Sequence, residues 1–150
     1  MNWLQVQYEN EVVKRCAPLK KAIEGDAGLD LYNATGERLI VAPYKSLQVY
    51  AGIRIKLPSD TCALVYPRSS AFRKKGLFVV PGLIDEGYIG KLFTIVWHPN
   101  LDHIDRPIVI EPWDRLSQLL VLHKPKLTIQ TVDELPETER GDKGFGSTGG

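Results

Sequence analysis

Cysteine is scarce in this chain of 150 residues: there are two, Cys16 and Cys62. They lie far apart and match no metal-ligand spacing, so the sequence encodes neither a disulfide framework nor a thiolate metal site. Cys62 falls in the apolar run Cys62-Ala-Leu-Val-Tyr66 and reads as a small core residue. Charge of one sign is lacking too, since 19 Lys+Arg against 18 Asp+Glu leave a net +1. A general nucleic-acid binder carries a strong basic excess, so nucleic acid is not an expected partner. A small anion held by a local basic cluster stays open. No apolar run approaches the length of a membrane span, and the N-terminal stretch lacks the apolar core of a secretion signal. The expectation is a cytoplasmic chain with no membrane partner. Helical periodicity is almost missing, being confined to residues 69–76.

What is there reads as strands. Leu4, Val6 and Tyr8 alternate with Gln5 and Gln7, and Ile53, Ile55 and Leu57 alternate with Arg54 and Lys56. Leu127, Ile129 and Thr131 alternate with Thr128 and Gln130. Such period-two patterns mark half-buried strands. Other runs are nearly all apolar and rich in β-branched or aromatic residues: 39–41, 77–80, 92–97, 108–110 and 119–122. Proline and glycine punctuate them at short intervals, among them Pro43, Gly52, Pro58, Gly76, Pro81, Gly90, Pro99 and Pro112. Many short strands between turn signals predict an all-β sandwich or barrel. The length fits one domain that buries roughly 70% of its unfolded surface.

Five segments carry polar chemistry. In Tyr66-Pro67-Arg68-Ser69-Ser70, the arginine fork and two hydroxyls stand where the one predicted helix begins. A hydroxyl can cap that start, Gly76 can end the helix, and free N–H groups there suit an anion. A simple helix cap beside a surface arginine explains the same residues. In Gly82-Leu-Ile-Asp85-Glu-Gly-Tyr88-Ile-Gly90, the glycines predict a tight hairpin with exposed backbone. Asp85 follows apolar residues, so partial desolvation is expected and would suit a base. Asp30 stands between apolar neighbours, where a lone charge is costly, so it needs an arginine or a hydrated metal as partner. Gln118 enters the apolar run 119–122. Residues 140–150 hold five glycines with Arg140, Lys143, Phe145, Ser147 and Thr148. They cannot pack a core, but can close over a polyphosphate and a flat base. The predicted organisation is a β domain over 1–139 and a flexible glycine-rich tail over 140–150.

Taken together and in order, these segments resemble the homotrimeric dUTP pyrophosphatases (dUTPases). The resembling residues are Ala27-Gly28-Leu29-Asp30-Leu31, Pro67-Arg68-Ser69-Ser70, Gly82-Leu83-Ile84-Asp85 with Tyr88 and Gly90, and Asp114-Arg115 with Gln118. Arg140-Gly141 and Gly144-Phe145-Gly146-Ser147-Thr148-Gly149 complete the set. The resemblance implies a jelly-roll-like β domain, a trimer with shared active sites, and Mg²⁺-dependent hydrolysis of dUTP to dUMP and pyrophosphate. It implies that Asp85 deprotonates the attacking water and that Tyr88 packs on the deoxyribose, excluding a 2′-hydroxyl. Backbone around residues 78–84, Gly82 and Ile84 included, would read uracil. Arg68, Ser69, Ser70 and Gln118 would contact phosphates, and Asp30 would orient the hydrated metal through water. Arg140, Phe145, Gly146, Ser147 and Thr148 would close over the substrate.

The chain departs from that pattern in places. Ser70 stands where many members have glycine, Ser117 replaces a usual alanine, and Pro81 stiffens the base-reading segment. The polar stretch 98–107, with two histidines and two aspartates, reads as a solvated loop. His123 reads as a structural histidine, and Trp3, Trp97 and Trp113 as core or interface residues. Two rival functions are a dCTP deaminase, alone or combined with dUTP hydrolysis, and a non-catalytic nucleotide-sensing regulator.

Overall fold

The computed structural model describes residues 3–101, 105–139 and 141. In chain order the elements are β1 (Gln5–Tyr8), α1 (Glu11–Cys16), β2 (Leu29–Tyr32), β3 (Leu39–Val41), β4 (Ser46–Lys56), β5 (Thr61–Pro67), α2 (Ser69–Lys75), β6 (Phe78–Val80), β7 (Gly82–Ile84), β8 (Lys91–Trp97), β9 (Ile108–Ile110) and β10 (Arg115–His123). Strand pairing is antiparallel throughout. One four-stranded sheet has the order β1-β4-β8-β6, another the order β2-β10-β5-β7, and β3 pairs with β9. The architecture is all-β and jelly-roll-like, as the punctuation of short apolar runs predicts.

The core follows from side-chain alternation. Leu31, Ile53, Ile55, Ala63, Val65, Leu92 and Leu119 point inward from strands of both larger sheets and form one cluster. A second joins Val41, Val49, Val79, Val96, Ile110 and Leu116 to Ala71 of α2. Each large aliphatic group so buried contributes about 1.5–3 kcal/mol. A polar contact lies within the sandwich: the Ser117 hydroxyl stands 2.6 Å from that of Thr94, joining β10 to β8. The serine that departs from the family pattern therefore has a partner, and its burial carries no unsatisfied donor.

The structure corrects several sequence expectations. A second helix, α1, exists: the Asn10 carboxamide oxygen accepts from the Val13 N–H at 2.9 Å and caps its start. The helix 69–75 forms and ends on Gly76 in the left-handed region, but Arg68 occupies the cap position and no side-chain hydroxyl caps it. Serines at the first two helical positions are one residue too late to cap. Residues 124–131 form no strand in this chain, and Leu127 and Ile129 are fully exposed. Cys62 is only half-buried, because it faces away from the core that Ala63 and Val65 enter. Trp3 and Trp97 are exposed, not core.

Within the stretch 98–107, His98 and Asn100 are buried, so this is not simply a solvated loop. The Asn100 N–H donates to His98 Nδ1 at 3.1 Å, which leaves Nε2–H to donate to the Arg106 carbonyl at 2.9 Å. His98 is thus the staple that folds the segment back on itself.

Candidate active site

The order of the second sheet decides which polar residues meet. Strand β10 lies between β2 and β5, and its register sets Gln118 opposite Asp30 on one side and Tyr66 on the other. Directly opposed residues share a face. Leu31, Val65 and Leu119 take the core face, which leaves Asp30, Gln118 and Tyr66 on the outer one. Strand β5 then runs out through Pro67 into Arg68, Ser69 and Ser70 at the start of α2.

Asp30 is nevertheless buried, because two arginines cover it. Arg68 Nη1 stands 3.2 Å from one carboxylate oxygen and Arg115 Nη1 stands 3.3 Å from the other. A carboxylate withdrawn from water requires such compensation. Of the two partners the sequence allowed, arginine is the one the structure supplies, twice over. The motif Asp114-Arg115 gives Arg115 no role by sequence alone. The signal that could have found it is a cation on the strand beside an acid that needs one. The neighbouring Tyr32 phenol is pushed up by burial, with the Asp30 charge adding and Arg115 and Arg68 opposing.

Gln118 is fixed between two neighbours. Its Nε2 donates to the Pro67 carbonyl at 3.1 Å. On the other side lies Gly28, where any Cβ would overlap the Gln118 amide. Close approach, not turn geometry, is why glycine stands at 28. Gly28, Asp30, Arg68, Ser69, Ser70, Arg115 and Gln118 thus gather at one end of the second sheet.

Asp85 does not join them within the chain. Strand β7 pairs with β5 so that Ile84 faces Ala63 and Gly82 faces Val65. Asp85, one residue further, comes level with Cys62, six positions back from Arg68. At strand rise that is about 20 Å. Asp85 is exposed, contrary to expectation, and the reason is local: β7 is a short edge strand whose Leu83 points into solvent. The expected hairpin is also absent. β6 belongs to the first sheet and β7 to the second, so Pro81 marks a switch between sheets. Residues 85–90 then return the chain to β8 in the first sheet. Gly82 and Ile84 are half-buried on β7.

Tyr88 folds over the end of that connection. Its hydroxyl donates to the Lys91 carbonyl at 2.8 Å. A Cβ at residue 90 would stand 2.5 Å from the Tyr88 oxygen, so Gly90 makes room for the ring. The ring remains 42% exposed and offers a flat surface for a ligand. The predicted tail residues Arg140, Phe145, Gly146, Ser147 and Thr148 lie outside the described residues.

A divalent cation fits this site only through water. Among the described residues no three His, Cys, Asp or Glu side chains cluster to hold a metal. Each Asp30 oxygen engages one guanidinium and keeps capacity for another donor, such as a metal-held water. That suits Mg²⁺, which retains waters and takes phosphate oxygens as ligands.

A model of the dUTPase family matches residues 15–149. The deoxyuridine 5'-triphosphate nucleotidohydrolase of Corynebacterium glutamicum is 41% identical over 132 residues, covering 87% of this chain and 85% of that protein. That of Clostridium novyi is 39% identical over 150 residues, covering 97% and 98%. In fold, the chain superposes on a mutant of the Staphylococcus bacteriophage 80alpha dUTPase with dUpNHpp at a TM-score of 0.85, with 24% identity over 99% of both chains. A mutant dUTPase of phage phi11 of S. aureus, described with a structural Mg(II) ion, gives 0.75 at 21% identity, over 91% of this chain and 100% of that one. With nearly the whole sequence matched and relatives near 40% identity along most of their own length, this chain belongs to the dUTPase family.

Proposed function

We propose that the protein is a dUTP diphosphatase that hydrolyses dUTP to dUMP and pyrophosphate. The observation that carries this reading is the family match over residues 15–149, which spans Asp30, Arg68, Asp85 and Gln118 together. The named relatives are nucleotidohydrolases, which favours pyrophosphate release over deamination or bare nucleotide sensing.

In this reading Arg68, Ser69, Ser70 and Gln118 hold the phosphates, as a planar arginine fork beside hydroxyls and an amide suits them. Backbone of residues 78–84, Gly82 and Ile84 included, reads uracil, and the Tyr88 ring packs on deoxyribose and leaves no room for a 2′-hydroxyl. Asp85 takes a proton from a water aimed at the α-phosphorus. As the new P–O bond forms, the bond to pyrophosphate breaks. Mg²⁺, carried by the triphosphate and its waters, supplies charge neutralisation, with Asp30 facing a metal-held water. The tail of residues 140–150, with Arg140, Phe145, Gly146, Ser147 and Thr148, closes the β domain of residues 1–139 over the substrate and expels bulk water.

The separation of Asp85 and Arg68 supports a homotrimer with shared sites: about 20 Å along a strand is too far for one nucleotide to bridge both within a chain. A second copy brings its own Asp85 to the Arg68 end. The outer face of the first sheet supports self-association, because Phe78, Phe93, Ile95 and Trp97 are exposed there, with Phe78 and Trp97 edge to face at 5.9 Å. Such a patch marks an interface. No helix among the described residues is long and apolar enough to cross a membrane.

The experiment is a product assay with dUTP, dCTP, dTTP and UTP. Pyrophosphate from dUTP, at a kcat/KM exceeding the others by roughly 10⁴, is the expected result. Ammonia from dCTP, or no product from any of the four, would overturn the reading.

A further inference from the structure

We infer that Glu86 and Lys124 form a clamp that sets the position of Asp85, making both of them positioning residues for catalysis. The inference rests on the role proposed for Asp85. The turn that carries Asp85 leaves β7, an edge strand of three residues held by β5 alone. Left to itself, such a turn would hold a carboxylate loosely.

Glu86 ties it down at three points. Its Oε2 lies 2.7 Å from Lys124 Nζ, just beyond β10. The same oxygen accepts the Asp60 N–H at 3.1 Å, in the turn between β4 and β5. The Glu86 carbonyl accepts from Lys56 Nζ, at the end of β4, at 3.3 Å. The anchors are themselves joined, since the Lys124 N–H donates to the Asp60 carbonyl at 3.0 Å. The Asp85 carbonyl accepts the Tyr88 N–H at 3.0 Å, which closes the turn. One peptide unit from Asp85, then, the chain is fastened to β4, the β4–β5 turn and the end of β10.

The clamp also acts on charge. The hydrogen bond to Glu86 raises the Lys124 ammonium above its usual pKa, burial opposes, and Asp60 and Asp85 add to the rise. Lys124 is thus held as a cation beside the turn that carries Asp85. The charged groups around that turn are Glu86, Asp60, Lys56, Lys124 and Lys126, the last 3.5 Å from Asp60. A lone surface ion pair would count for little. This one acts through the placement of a reacting group, where an ångström matters.

The test compares wild type, Glu86→Gln, Lys124→Met, the double variant and Asp85→Asn in the intact protein. The readouts are kcat and KM for dUTP, affinity for dUpNHpp, and Tm. Each single clamp variant should lower kcat roughly ten-fold or more while KM and dUpNHpp affinity change less than about three-fold. The double variant should fall no further than the worse single one, since coupled residues are non-additive. Wild-type kcat in both single variants, or losses that add, would overturn the clamp even if Asp85→Asn is inactive. Full activity in Asp85→Asn would instead overturn the role of Asp85. Should Glu86→Gln melt below the assay temperature, Lys124→Met reads the same clamp from the exposed side.

Discussion

Arg68 reaches across an intervening strand to hold Asp30 at 3.2 Å. Strand β10 separates their strands, so the two backbones stand roughly 10 Å apart. The long guanidinium arm closes that gap over Gln118, and Arg115 closes the other side of the carboxylate. A cationic pair is thereby fixed where phosphates are expected, with one acid to hold it when no substrate is bound.

Removing that acid exposes the arrangement. Asp30→Ala leaves two guanidiniums facing each other beside a buried strand, and should cost about 3 kcal/mol in urea unfolding. A loss under about 0.5 kcal/mol would mean that the pair behaves as an ordinary surface contact.

The clamp on the Asp85 turn has a pH signature in stability. The hydrogen bond from Lys124 lowers the Glu86 pKa from its ordinary value of 4.5, with burial opposing. A carboxylate whose folded pKa is depressed adds stability that is complete above the unfolded value and fades as pH falls through the folded one. The contribution should therefore be whole above about pH 4.5 and shrink below it. Tm measured from pH 6 down to about pH 3 should fall less steeply in Lys124→Met than in wild type. Parallel curves would contradict the assignment.

The exposed aromatic face makes a separate prediction. Ile95→Lys places a charge between Phe93 and Trp97 on the exposed face of β8. Sedimentation should show the proposed trimer shifted to monomer, with activity falling alongside. A variant that stays trimeric would place the interface elsewhere.

The sequence showed much of this architecture for reasons that can be named. Alternation such as Val6 and Tyr8 against Gln5 and Gln7 needs only one wet face, and β1 has one. Asp30 stood out because an acid among leucines must be paired. Other features left little trace. Helix α1 buries only Val13, so no apolar stripe announces it; its signals are the Asn10 cap, Glu11 in the first turn and Lys14 and Arg15 in the last. His98 is polar by composition and buried through a staple that sequence does not display. Leu127 and Ile129 alternate as a strand does, yet no partner strand meets them among the described residues. The split between Asp85 and Arg68 depends on the β5–β7 register, which no local pattern encodes.

The most direct test of shared catalysis mixes two inactive proteins. Asp85→Asn keeps an intact Arg68, and Arg68→Ala keeps an intact Asp85; each alone should hydrolyse almost no dUTP. Unfolded together and refolded as mixed trimers, they should regain activity in roughly a quarter of the sites, those that pair an intact residue from each copy. A mixture as inactive as its two components would contradict an active site built between subunits.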